Sequence, residues 1–249
     1  MKELKWVIFD VDNVLIDVSE SYDLATKLTV EYFLKELGRE KAIDVEIIRK
    51  LRRKGAFGDD FKVSEALIIG ALTEDIQQFV EDFPSGKGIE WVRLRFGIAV
   101  NPKSIEKVFN TFYLGEYYKD RIFEFDGLWK KEKPIVKREL LEKAGERFKL
   151  GVVTGRNKLE LKLAEELIGF HFENAVTREL YVKPDPKALW HLTKGEEGIY
   201  IGDTINDGLL VENYKKACGK EFEFLMVGRN AKDVNEAIEK VLNLFKDEP

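Results

Sequence analysis

The sequence predicts a doubly wound α/β protein: a parallel sheet with helices on both faces, and an all-α domain inserted after the first strand. Three observations lead there. Short apolar runs of strand length occur at the start of the chain and again through its second half, separated by amphipathic stretches. That alternation is the pattern of a parallel sheet covered on both sides. Between residues 18 and 121 it stops, and only helix-period patterning remains. Finally, several of the expected strands end in polar residues at the level where parallel sheets bind ligands. The expected division is residues 1–17 with 122–249 for the sheet domain, and 18–121 for the helical insertion.

Each element has a local reason. Trp6-Val7-Ile8-Phe9 is too short for a helix and stops at Asp10. Tyr22, Ala25, Thr29, Phe33 and Leu37 recur at spacings of three and four, with Gly38 as a stop. Val45, Ile48 and Leu51 form a second apolar face, and Thr73 before Glu74-Asp75 reads as the start of a further helix. Asn101-Pro102 is a cap followed by proline at the first helical position, opening a helix through Phe109 and Phe112. After Pro134 the strands return: Leu150–Thr154, Ala175–Thr177, Ile199–Asp203 and Phe222–Val227. A last helix carries Val234, Ile238, Val241 and Phe245 on one face.

Bulk properties narrow the function. The 249 residues are 44% hydrophobic, enough for a large core. A net charge of −5 argues against nucleic acid as the main partner. No apolar run approaches the roughly 20 residues that span a bilayer. One cysteine, Cys218, forms no intrachain disulfide, and no leader-like segment precedes the first strand, so a cytoplasmic location is expected. Charged residues at 35% with one Cys fit a heat-adapted source.

Chemistry concentrates at strand ends. Asp10 and Asp12 close the first strand, with Val11 between them pointing to the other side. Two carboxylates beside a dry core need a positive group between them. A divalent cation with oxygen-only ligands fits, and Mg²⁺ is favoured over zinc. Thr154 and Asp203 end two further strands at the same level, and Lys183 lies on a loop between them.

Taken together, Phe9-Asp10-Val11-Asp12-Asn13-Val14-Leu15, Val152-Val153-Thr154-Gly155-Arg156, Val182-Lys183-Pro184-Asp185-Pro186 and Gly202-Asp203-Thr204-Ile205-Asn206-Asp207 resemble the four motifs of the haloacid dehalogenase-like hydrolases, in order. The insertion resembles the helical cap of the subfamily that includes phosphoglycolate phosphatase and β-phosphoglucomutase. The resemblance implies a Rossmann-like core and a phosphatase acting on a small phosphate ester. By it Asp10 is the nucleophile, Asp12 the general acid–base and Lys183 the charge-steadying cation. Thr154 and the Gly155 amide bind phosphate oxygens. Asp10, the main-chain carbonyl of Asp12, Asp203 and Asp207 hold Mg²⁺, the last directly or through water or Lys183. Asn13 stands where the family usually has glycine, and asparagine tolerates left-handed backbone. Dehalogenases usually lack the second acid, so Asp12 favours phosphate chemistry. A phosphomutase on the same scaffold is the alternative, and a non-catalytic phosphometabolite-binding protein a third reading. The protein is expected to be a monomer or homodimer.

Other segments carry less. Lys54, Phe57 and Asp60 lie in a glycine-punctuated loop that caps of this kind place over substrate, so they are candidates for specificity. The same loop reads equally as a solvated connector. Pro84-Ser85-Gly86-Lys87-Gly88 fails the glycine spacing of a phosphate loop. His171 and His191 lie outside the motifs. Arg156 reads as a surface residue of its loop and is left out of the site. Aromatic residues from Phe109 to Trp129 are expected at the junction between cap and core.

Overall fold

Trp6–Phe9 forms β1, buried along its whole length as a central parallel strand should be. The structure, a computed structural model, describes residues 5–244. Next come β2 (Ile16–Asp17) and the helices α1 (Ser21–Glu36), α2 (Val45–Lys54), α3 (Asp60–Thr73), α4 (Ile76–Asp82), α5 (Ile89–Phe96) and α6 (Pro102–Leu114). The chain then alternates through β3 (Lys133–Pro134), α7 (Arg138–Gly145), β4 (Lys149–Val153), α8 (Lys158–Ile168) and β5 (Ala175–Val176). It continues with α9 (Lys187–Thr193), β6 (Gly198–Gly202), α10 (Ile205–Cys218), β7 (Phe222–Met226) and α11 (Val234–Leu244).

Five strands form one parallel sheet in the order β5-β4-β1-β6-β7. β1 sits in the middle, and strand order reverses there, so the crevice outside its carboxyl end is where ligands bind in such sheets. One face of the sheet buries Ile8, Val153, Val176 and Tyr200 against Leu189 of α9 and Leu210 and Tyr214 of α10. Val234, Ile238 and Val241 of α11 are buried as expected, while Phe245 falls outside the described residues. β2 and β3 pair antiparallel, Ile16 with Pro134 and Asp17 with Lys133. This pair joins residues more than a hundred positions apart in the chain and carries no alternation of its own, so the sequence does not reveal it.

The chain divides into two compact units: residues up to Val18 with those from Glu132 onward, and Ser19–Lys131. Residues 122–131, expected with the sheet domain, group with the helical unit instead. Their aromatics explain it: Phe112 of α6 packs on Phe123 and Phe125 at 4.9 and 5.1 Å between centroids, and Tyr117 meets Trp129 edge-on. These aromatics therefore pack on one another inside the helical unit. No helix among the described residues is long and apolar enough to cross a membrane.

Two helical details differ from expectation. α1 buries Ala25, Thr26, Thr29, Val30 and Leu34, whereas Leu37 is 56% exposed. Small and threonine side chains make the tight face there, and the bulkier residues of the expected stripe lie at its margin. Thr73 ends α3 rather than opening α4; its hydroxyl donates back to the Ile69 carbonyl. Asp75 is the cap, accepting from the amides of Gln77 and Gln78. α6 starts as predicted, with Asn101 accepting from Lys103 N–H and Pro102 in the first turn.

Candidate active site

The strand register brings the polar termini together. Phe9 is paired with Val152 of β4 and with Ile201 of β6. Asp10, Thr154 and Asp203 therefore leave the same edge of the sheet within two residues of that paired level. The Asp10 amide makes a last ladder bond to the Ile201 carbonyl at 2.9 Å. Beyond it the chain turns tightly, with Asn13 N–H on the Ile16 carbonyl and Asn13 at φ +57°. Asparagine thus fills the left-handed position without glycine.

Lys183 is the electrostatic hub. Its Nζ lies 2.8 Å from Asp10 Oδ2 and 2.8 Å from Asp207 Oδ1, and its side chain is largely buried. Burial pulls the ammonium's pKa down, but Asp10 and Asp207 more than offset that and hold it above the ordinary lysine value. Asp10 is 5% exposed, and its Oδ1 accepts from the Val11 amide at 2.7 Å. Burial pushes its pKa up to about 7; Lys183 pulls it back, while Asp207 and Asp12 push it further up. Asp203 is raised to about 6, by burial first and then by Asp207.

Asp207 is fully buried and saturated with donors. Oδ1 accepts from Lys183 and from the Tyr200 hydroxyl at 3.2 Å. Oδ2 accepts from the Thr204 hydroxyl at 2.7 Å and from the amides of Thr204 and Asp203. With Thr204 it also forms the capping box of α10, so the same motif starts that helix. Burial keeps Tyr200 protonated, with a pKa well above the usual tyrosine value, so it remains a donor. A Cβ on Gly202 would fall 2.6 Å from Asp207 Oδ2, which is why glycine precedes Asp203.

Asp10, Asp203 and Asp207 each bring a carboxylate oxygen within 4.8 Å of the others. One atom in this group lacks a partner: Asp203 Oδ1 is buried and accepts no hydrogen bond. An orphaned anionic oxygen facing other carboxylates is costly unless a cation completes it. The all-oxygen donor set suits a hard divalent ion. Asp10 and Asp203 thus fit as cation ligands, with Asp207 behind them.

The Asp12 carboxylate has a different partner, although its charge is felt by Asp10 and Asp203. Its Oδ1 accepts from Arg156 Nε at 2.6 Å. Arg156, expected on the surface, is fully buried and also meets Glu132 Oε2 at 2.8 Å. The correction has a physical reason: a lone arginine after a strand looks solvated unless its carboxylate partners are known, and Glu132 is distant in sequence. Thr154 is buried, and its Oγ1 accepts from the Arg156 amide, which leaves the hydroxyl proton to donate. Gly155 is exposed on the same loop.

The three candidates in the helical unit have separate duties. Lys54 Nζ donates to the carbonyls of Val80 and Glu81 near the end of α4, where a cation satisfies otherwise unpaired carbonyls. Phe57 is buried against Phe83 at 5.3 Å. Asp60 accepts from Arg52 at 2.6 Å, and burial raises its pKa despite that arginine. Phe57 and Asp60, with Arg52 and Val63, border a cavity of about 300 Å³ within this unit. His171 is exposed and pairs with Glu165.

Comparison with known proteins shows the family. The haloacid dehalogenase-like hydrolase family matches residues 4–210. A solved structure of the phosphatase Tt82 from Thermococcus thioreducens is 64% identical, covering 96% of this chain and 99% of that one, with a TM-score of 0.89. A provisionally named phosphoglycolate phosphatase from Lactobacillus delbrueckii subsp. bulgaricus is 20% identical over the full length of both chains (TM-score 0.56). A provisionally named β-phosphoglucomutase from Thermotoga maritima is 19% identical, covering 97% of this chain and 100% of that one (TM-score 0.54). These last two share the fold. No curated protein matches the chain. With its strand-end acids, buried lysine and family match over most of its length, the chain belongs to the haloacid dehalogenase-like hydrolases and is a phosphohydrolase of that family.

Proposed function

We propose that the protein is a Mg²⁺-dependent phosphatase that hydrolyses a small phosphorylated metabolite through an aspartyl-phosphate on Asp10. The observation that carries this is the buried Asp10 carboxylate, held 2.8 Å from Lys183 beside the unpartnered Asp203 Oδ1. Asp10, Asp203 and the main-chain carbonyl of Asp12 would hold the cation. Asp207 would fix Lys183 and the Asp203 loop. When bound, the ion supplies positive charge that lets a carboxylate approach a phosphate dianion.

An Asp10 carboxylate oxygen bonds to phosphorus as the ester P–O bond breaks. The electron pair departs on the leaving oxygen, which takes a proton from Asp12. Asp12 then accepts a proton from water as the water oxygen bonds to phosphorus. The bond from phosphorus to Asp10 breaks, which restores the carboxylate and frees inorganic phosphate. Thr154 and the Gly155 amide donate to phosphate oxygens, and Lys183 steadies the charge. Residues of the helical unit, Phe57 and Asp60 foremost, would set specificity, while Lys54 supports the unit's own packing. A single cysteine supports a cytoplasmic setting, and the charged composition a heat-adapted source.

The reading is tested by titrating MgCl₂ against the chelated protein with a panel of phosphorylated sugars, nucleotides and short acids, following free phosphate. Metal-dependent release is expected, and its absence across the panel would overturn the reading. Conversion of a sugar monophosphate to its isomer without phosphate release would make the protein a mutase. Thr154→Val is expected to lower kcat/KM by roughly 10²–10³ while leaving the circular dichroism spectrum unchanged.

Cation affinity is expected to fall with pH. Asp10 and Asp203 titrate near 7 and 6 without metal, so below those values a proton must leave before the ion binds. Calorimetric titration with MgCl₂ should show affinity flat above pH 8. Between about 7 and 6 it should weaken by up to about tenfold per unit, and below 6, where two protons must leave, by up to about a hundredfold per unit.

A further inference from the structure

We infer that Arg156 is a positioning residue for the reaction, one that fixes Asp12 by a single oxygen and leaves the other to carry the proton. The inference rests on Asp12 being the acid–base proposed above. Arg156 has no exposed surface, and its guanidinium is used in three directions at once. Nε meets Asp12 Oδ1 at 2.6 Å, Nη2 meets Glu132 Oε2 at 2.8 Å and Nη1 meets the Glu160 carbonyl at 3.1 Å. Its own amide donates to Thr154 Oγ1 at 3.1 Å.

Charge balance shows that the Asp12 contact is more than structural. Glu132, with a fully buried side chain, already neutralises the arginine. A second carboxylate is not needed for that, yet Asp12 makes the shortest contact of the three, and its side chain is still 28% exposed. A planar guanidinium anchored at Nη1 and Nη2 cannot swing, so Nε is presented from a fixed position. A carboxylate gripped by Oδ1 loses the rotation about its last bond, and Oδ2 is directed rather than free. Among the described residues Oδ2 has no side-chain partner. Glu132 is the first residue of the sheet unit after the helical insertion, so the anchor is set by the returning chain. Misplacing a catalytic group by about 1 Å can cost on the order of 10² in rate.

The test separates this role from support of the fold. Phenyl phosphate expels a phenolate that needs protonation, whereas 4-nitrophenyl phosphate expels a stable anion. Loss of a well-placed general acid therefore hurts kcat/KM for the first far more than for the second. Arg156→Lys keeps a charge for Glu132 but lacks the fork, and is expected to show that split, about tenfold or more. Asp12→Asn should show it too, and Arg156→Lys/Asp12→Asn should be no worse than Asp12→Asn alone. If the lysine variant does not fold, Arg156→Met with Glu132→Met removes the buried pair in a shape-conserving way and is measured identically. Equal losses on both esters, or additive losses in the double variant, would overturn the inference. A split in Asp12→Asn without one in the Arg156 variants rejects Arg156 alone. No split in Asp12→Asn rejects the acid–base reading and the inference with it.

Discussion

Asp10→Asn is expected to abolish phosphate release, by at least about 10⁴-fold in kcat, and at the same time to make the metal-free protein more stable at alkaline pH. The first effect follows from the carboxylate's place as nucleophile: an amide oxygen neither attacks phosphorus usefully nor leaves as an anion. The second follows from what the site costs. Asp10 has a folded pKa of about 7 against the ordinary 3.8, raised chiefly by burial. A raised pKa means that the group's contribution to stability is fully present below 3.8 and lost as pH rises through 7. At pH 8 in EDTA the native protein carries the whole penalty and the asparagine variant none. Thermal unfolding should therefore place the variant a few degrees higher at pH 8, with the difference narrowing toward pH 5 and closing only below 3.8. Added MgCl₂ should narrow it from the other side by stabilising only the wild type. A variant that keeps wild-type turnover would refute the nucleophile. A variant less stable at pH 8 would refute the electrostatic account of the site.

Much of this arrangement was legible before the structure because it follows from local rules. The five sheet strands announced themselves as short apolar runs, and Asp10, Thr154 and Asp203 as polar residues at their ends. Asn13 was readable as a left-handed turn residue, and its φ of +57° agrees. What was hidden depends on partners distant in the chain. Arg156 looked like a solvated side chain because nothing in its neighbourhood reveals Glu132 or the grip on Asp12. The stretch from 122 to 131 has no period of its own, and its allegiance is decided by the aromatic face of α6. Lys54 is a specificity candidate because caps of this kind place its loop over substrate; nothing in that loop reveals the carbonyls of Val80 and Glu81 that it also serves. Asp207 serves the cap of α10 as well as the site, because the first turn of α10 begins where the sheet ends.

The site also spends stability on its chemistry. Three carboxylates within 4.8 Å and one orphaned oxygen would not be selected for folding alone. Such strain at a strand-end crevice is itself a sign of function. The counterweights are few: Lys183, the donors around Asp207 and the Val11 amide. Lys183 is the one among them that touches both buried acids.

Removing it should accordingly damage activity and folding together, and the two losses can be pulled apart. Lys183→Met is expected to lower kcat/KM by about 10³ or more, since the transferring phosphate loses a fixed positive charge. It also leaves Asp10 and Asp207 buried without their cation, and breaking a buried pair costs roughly 3–5 kcal/mol. That cost depends on pH with a definite sign. Without Lys183 the Asp10 pKa rises further, so the variant is least stable at pH 8 and recovers toward pH 5 as the carboxylate takes up a proton. Lysine to arginine is not a rescue, because a planar fork does not reproduce a compact ammonium placed 2.8 Å from each of two carboxylates. Lys183→Met/Asp207→Asn removes one of the stranded charges while keeping acceptor and donor atoms for Tyr200 and Thr204. It should regain a substantial part of the lost melting temperature at pH 8 without regaining phosphate release. If stability and turnover returned together, Lys183 would be a scaffold for Asp207 alone and would have no part in steadying the phosphoryl group.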